Sequence, residues 1–346
     1  MKSIISNTSV IIFYLCLLII SGCVDDNITP PLTGDLNSTA EMLIYLESKG
    51  DFPNSSLAPA LVEAEEVYSN LNSFLILDIR SNSEFVTGHI ENAKNISTDS
   101  LYKFIEAEYD SGYSKIILVS KNGQSSAYFT CLLRLAGFDN VYSMNFGMAA
   151  WNEVFADEWL NSLGNYEGIG GFINDPVEKN EFTSLPQIVF TNPDDPIDAR
   201  VKTRIRETIS SGFRQGIEYT SILSTSNQYL VCYGSSLLYK TRKFGVLAGL
   251  GHPLNARSYL DSPDFDLRSV NYLQTLPNSQ AILLYDYNGQ LAACMTAYLR
   301  ILGYDVKMLL FGANQLFYDR MVDYPELMGF AFSYSRIKNY PYSTGE

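Results

Sequence analysis

The sequence predicts an α/β protein of two domains, each a mostly parallel sheet with helices on both faces. Three observations carry this. At 346 residues the chain is too long for one ordinary core. The apolar, β-branched runs SFLILDI and KIILVS read as strands buried on both faces, and they alternate with amphipathic helical stretches. Such alternation calls for parallel strands joined by right-handed crossovers. Finally, the pattern restarts. QYLVCY repeats SFLILDI, GHPLNA repeats GHIENA, AILLYDYNGQ repeats KIILVSKNGQ, LRILGYDV repeats LRLAGFDNV, and FGAN repeats FGMA. Five blocks in one order, four of them displaced by 163–166 residues, mark an internal duplication of a whole domain.

The elements follow in order. Residues 1–22 read as a signal segment: Lys2 supplies a positive start, and VIIFYLCLLII is apolar but short for a membrane span. The segment ends Ile20-Ser21-Gly22-Cys23, which looks like a bacterial lipobox, so Cys23 is the expected lipidation site; the alternative is an ordinary signal peptide or an uncleaved anchor. Acyl chains contribute about 0.8 kcal/mol per buried methylene, enough to tether the mature protein without spanning the bilayer. Residues 23–38, with Pro-Pro and Gly, read as a flexible tether. TAEMLIYLESKG reads as a helix with Thr39 as N-cap and Gly50 past its end, and ALVEAEEVYSNL as a second helix. SSAYFTCLLRLAGF is a helix closed by Gly137, and VYSM a short strand. The first domain spans 39–160. Residues 161–214, rich in Gly, Asn, Pro and Asp and ending in the helix VKTRIRETISSGF, connect it to a second domain at 215–336. A tail at 337–346 closes the chain.

Composition excludes several functions. Apolar residues reach 46% and charged ones 18%, a globular balance rather than a disordered one. The net charge of −14 argues against nucleic-acid binding, which needs clustered Lys and Arg. After Cys16 and Cys23, the cysteines are Cys131, Cys232 and Cys294, an odd number in apolar patterns, which reads as buried packing rather than a disulfide framework. No C-x-x-C-H or C-x-x-C occurs, so neither c-type haem nor a zinc or dithiol site is expected, and no cofactor is expected at all.

Asp78-Ile79-Arg80, Gly88-His89-Ile90 with Ala93, the strand–loop–helix around Asn122-Gly123-Gln124, Gly137-Phe138 and Gly147 to Trp151 together resemble a rhodanese domain. Gly251-His252, Ala256, the Asn288-Gly289-Gln290 loop, Gly303-Tyr304 and Gly312 carry a weaker second copy without Asp-x-Arg. The resemblance covers most of 55–160 and 215–325 and implies two rhodanese-like domains. In active rhodaneses the loop opens on a cysteine whose thiolate, stabilised at a helix N-terminus, attacks thiosulfate and becomes a persulfide. Here Ser120 and Asp286 stand at that position, with Ser125 and Leu291 where the loop Arg would be. An oxygen cannot form a persulfide. The expected loop scaffold is Asn122, Gly123, Gln124, Asn288, Gly289 and Gln290. Asp286 is expected to fill its own anion site as a cap contributing about 0.5–2 kcal/mol. Neutral Ser120 beside Lys121 makes the first loop the better anion candidate. His89 and His252, the only histidines, are expected to hold their turns.

The sequence therefore points to an exported, lipid-anchored tandem protein of the cell envelope (outer membrane, periplasm or cell surface) without sulfurtransferase activity. Its role would be binding or assembly with another envelope protein. The alternatives are sulfur or oxyanion chemistry at Cys131, Cys232 or Cys294, and an accessory subunit of a redox complex. The overall layout resembles exported two-domain lipoproteins, some of them associated with cytochromes.

Overall fold

Two sheets with the same strand order organise the molecule. In the computed structural model the described residues are 37–165, 172–214, 216–217, 227–240, 242–243, 246–247, 251–260 and 266–345. The signal segment, Cys23 and nearly all of the tether lie outside them. The first sheet contains β1 (Leu61–Val62), β2 (Phe74–Asp78), β3 (Lys94–Asn95), β4 (Lys115–Val119) and β5 (Val141–Met144), in spatial order β1-β5-β4-β2-β3. The second contains β6 (Gly216–Ile217), β7 (Tyr229–Tyr233), β8 (Arg257–Tyr259), β9 (Ile282–Tyr285) and β10 (Val306–Leu309), in order β6-β10-β9-β7-β8. Every pairing within these two sheets is parallel. The order is the same once β1 is matched to β6 and so on outwards.

Alternation along the strands divides the core. Leu75 and Leu77 of β2 face a central layer, and Phe74 and Ile76 face an outer one. In the second sheet Val231 and Leu284 face the same central layer, whereas Leu230 and Leu283 face a third cluster. The central layer holds α1 (Ser38–Ser48), α2 (Thr98–Glu108), α3 (Gln124–Leu135), α4 (Ile197–Ser210) and α5 (Gln290–Ile301). Helices α3 and α5, which follow the two repeated loops, pack on each other there. Residues 37–346 thus form one compact unit with a shared core.

Two sequence expectations are redrawn. Asn37, not Thr39, caps α1: its side chain accepts from Thr39 N at 2.8 Å, and the Thr39 hydroxyl donates to Pro186 O at 2.7 Å. The stretch read as a second helix begins as β1, and only Ala64–Ser69 is helical. Pairing of Leu61 and Val62 with Ser143 and Met144 overrides the local helical pattern.

Helix α1, the segment after it and the C-terminal tail each reach across to the other half. Glu47 of α1 accepts from Ser269 N and Oγ at 2.7 and 2.6 Å, and Asn54 Oδ1 accepts from Leu267 N at 3.1 Å. In return, the tail lies along the first half. Ser343 and His89 exchange backbone hydrogen bonds of 2.9 Å, Tyr340 N donates to Trp151 O at 3.0 Å, and Tyr340 stacks on Tyr68 at 4.0 Å. Part of the stretch expected as a connection enters the core as well: Ile188, Phe190, Val201, Ile205 and Ile209 are buried in the central layer. Among the described residues no helix is long and apolar enough to cross a membrane.

Candidate functional site

The two Asn-Gly-Gln loops close the C-terminal ends of β4 and β9 and open α3 and α5. Their geometry is nearly the same. Asn122 Oδ1 accepts from Gln124 N at 3.0 Å, and Asn288 Oδ1 accepts from Gln290 N at 3.1 Å. Gly123 and Gly289 have φ of 85° and 84°, a region glycine enters without penalty. Each loop is also laced to the turn after the next strand: Met148 N donates to Ser120 O at 2.9 Å, and Ala313 N to Asp286 O at 2.9 Å.

Several N–H groups at each helix start are already taken. Ser120 is 2% exposed, and its Oγ accepts from Gly123 N at 3.1 Å and Ser126 N at 3.4 Å. Ser126 Oγ lies 3.0 Å from it and 2.7 Å from Ser143 Oγ, so the hydroxyl has company but no base. In the second loop Asp286 Oδ1 accepts from Gly289 N and Oδ2 from Leu291 N at 3.0 Å. This is the geometry of a built-in cap. Its energetics differ from the expectation, because burial of this 1%-exposed carboxyl pushes its pKa up to about 6 despite those N–H donors. The cradle of the first loop, expected to be the better anion candidate, spends two of its donors on Ser120 itself.

The glutamines join the two loops. Gln124 Oε1 accepts from Phe311 N at 2.8 Å, and Gln290 Oε1 from Phe146 N at 3.1 Å, each reaching into the opposite half. Gln290 Nε2 also donates to Asn145 Oδ1 at 2.7 Å. Among the described residues Gln124 Nε2 is buried without a partner, because Leu310 stands where Asn145 stands in the first half. Sequence reading placed both glutamines in the loop scaffold and missed this exchange; the repeated Asn-Gly-Gln was its only trace.

Above the first loop a cavity of about 260 Å³ opens between Arg80, Glu84, Lys121, Phe155, Asp157 and Glu158. Arg80 is spent: it pairs with Asp78 at 2.5 Å and donates to Gly88 O at 2.7 Å. Lys121 faces Glu158 at 3.6 Å. With Glu84 and Asp157 alongside, carboxylates outnumber uncommitted cations, an unfavourable field for an entering anion.

The remaining candidates are internal. Cys131, Cys232 and Cys294 are each 0% exposed. Burial pushes the Cys131 thiol well up, with Cys294 hydrogen-bonded to it, so neither burial nor ionisation favours a nucleophile. His89 stacks on Phe85 at 3.8 Å with Nδ1 2.9 Å from Phe85 O, and His252 stacks on Tyr239 at 3.6 Å with Nδ1 3.1 Å from Tyr239 O. Both rings hold their turns. Among the described residues no cluster of three or more His, Cys, Asp or Glu side chains could hold a metal.

Comparison with known proteins bears on the first half. The family profile described as "Rhodanese-like domain" matches residues 63–154. Thiosulfate sulfurtransferase GlpE of Shewanella oneidensis is 38% identical over 85 residues, 24% of this chain and 81% of that protein. The GlpE of Ectopseudomonas mendocina is 32% identical over 97 residues, 28% and 84% respectively. Among solved structures, thiosulfate sulfurtransferase from Pseudomonas aeruginosa aligns over 90% of this chain and 69% of its own at 13% identity, with a TM-score of 0.24. A rhodanese-related protein from Thermoplasma volcanium aligns over 28% and 90% at 20% identity, with a TM-score of 0.23. With over four-fifths of a sulfurtransferase domain matched at 38% identity, the chain belongs to the rhodanese-like family.

Proposed function

We propose that this chain is a tandem rhodanese-like protein that has exchanged sulfur transfer for binding or assembly. In this reading both halves descend from a rhodanese domain, and Ser120 and Asp286 occupy the position of the lost nucleophile. The observation that carries it is the occupation of both cradles: in each loop a buried oxygen-bearing side chain at the nucleophile position takes two N–H groups that would otherwise stabilise a thiolate. The acid-rich mouth above the first loop supports the same reading. We further propose export and lipid anchoring through Cys23, with an envelope protein, such as a subunit of a cytochrome complex, as partner.

The name shared by the matched relatives supports a second reading, sulfur transfer from thiosulfate at another cysteine. Full burial of Cys131, Cys232 and Cys294 weighs against it. The test is the full chain extracted in detergent, incubated with thiosulfate and cyanide, and followed by thiocyanate formation and intact mass. The binding reading expects no turnover and no gain of about 32 Da, one persulfide sulfur. Turnover, or a persulfide mapped to any of the three thiols, overturns it. The same mass spectrum reports whether the chain begins at an acylated Cys23.

A further inference from the structure

A second cavity, away from both loops, lies beside the edge strand β8. Its volume is about 240 Å³, and Lys179, Lys240, Ser258, Tyr239, Tyr272 and the exposed Glu178 line it. Ser258 is 8% exposed, and its Oγ has no hydrogen-bond partner among the described residues. Buried hydroxyls are rarely left in that state, because they give up water without replacement. The neighbouring Tyr239 hydroxyl does not relieve it, since it donates to Ala256 O and accepts from Val177 N, both at 2.9 Å.

Two lysines line the cavity together with this hydroxyl. The Lys179 ammonium lies 5.0 Å from the Tyr259 ring centre and 4.6 Å from that of Tyr272, so the rings set its position. Lys240 supplies a second ammonium. Behind the Tyr239 ring lies His252, and the charges of Lys240 and Arg320 add to burial in keeping that imidazole neutral. Arg320 itself is buried and bonded to the carbonyls of Leu237, Leu238 and Gly251. The opposing carboxylate of Glu178 sits at the exposed rim.

We propose that this cavity is a binding site for a small oxyanion, held by the Ser258 hydroxyl and the ammonium groups of Lys179 and Lys240. A water molecule's share of liquid is about 30 Å³, so the space accommodates a phosphate or sulfate with a few waters. The site stands apart from the filled cradles and does not depend on whether sulfur transfer has been lost.

The experiment is thermal unfolding of the full chain at constant ionic strength, with chloride replaced stepwise by phosphate, sulfate or acetate. The expected result is a saturable rise in Tm with at least one oxyanion and none with chloride. Ser258→Ala and Lys240→Gln should each weaken the midpoint about tenfold, the scale of one hydrogen bond to a charged group. Without anion, Ser258→Ala should melt no lower than the parent, because an orphaned hydroxyl has been removed. A merely structural serine would lower Tm in every buffer. A response equal to that of chloride, or variants that titrate like the parent, would overturn the proposal and leave a cavity filled by water. Acetate acting as well as phosphate would identify the ligand as a carboxylate, and a preference for phosphate or sulfate would identify a tetrahedral anion.

Discussion

Asp286 and His252 should pull the pH dependence of stability in opposite directions. The folded pKa of Asp286, about 6, lies above its ordinary value of 3.8 because burial penalises the carboxylate. The folded state therefore holds this proton more tightly than the unfolded chain. Its contribution is fully present below pH 3.8 and is lost as pH rises through 6. A shift of roughly two units corresponds to about 3 kcal/mol. His252 runs the other way: burial lowers its pKa from 6.5 to about 4, so its contribution is present above 6.5 and lost as pH falls towards 4. The two nearly cancel between those limits in the parent protein. Separating them requires two variants, Asp286→Asn and His252→Gln, unfolded in urea at steps from pH 4.5 to 7.5 at constant ionic strength. Relative to the parent, Asp286→Asn should gain about 2–3 kcal/mol across the range. His252→Gln should lose stability across it, by a similar amount. The Asn amide facing Leu291 N–H adds a constant offset, so slope is the readout. An Asp286→Asn curve parallel to that of the parent would refute the reasoning, because it would mean that the cradle's N–H groups offset the burial of the charge completely.

The crossed glutamines should differ in weight. Gln290→Ala strands the buried Phe146 N–H and Asn145 Oδ1 and should cost about 2–4 kcal/mol in urea unfolding. Gln124→Ala strands only Phe311 N–H while removing an unpartnered Nε2, so it should cost about 1 kcal/mol or less; equal losses would contradict the asymmetry. Deleting 338–346 removes five backbone hydrogen bonds and the Tyr340 stack, and should destabilise by about 3–5 kcal/mol, with the change visible in Trp151 fluorescence. Gly123→Ala places a methyl group against Gln290 Oε1 at positive φ and should lower stability by about 2–4 kcal/mol, measured by chemical denaturation.

Some of this was written locally. KIILVS and AILLYD are strands because their residues suit burial on both faces, and Asn-Gly-Gln fixes a loop because Asn accepts from the N–H two residues on and Gly enters positive φ. Repetition of those words revealed a duplicated architecture without any coordinates. Other features depend on residues far apart in sequence. Leu61 and Val62 are a strand only because β5 lies alongside, and Asn37 caps α1 while its amide also donates to Pro186 O at 3.2 Å. Gln124 and Gln290 become a latch only once α3 and α5 meet, and the difference between them rests on Asn145 facing one and Leu310 standing at the matching place. Periodicity and turn chemistry act over a few residues, so the sequence alone determined strands, loops and repeat. Burial, hydrogen-bond partnership and charge balance are properties of what surrounds a group, so tertiary structure alone decided which oxygens fill the cradles, how far the Asp286 carboxyl is pushed, and where Ser258 is left without a partner.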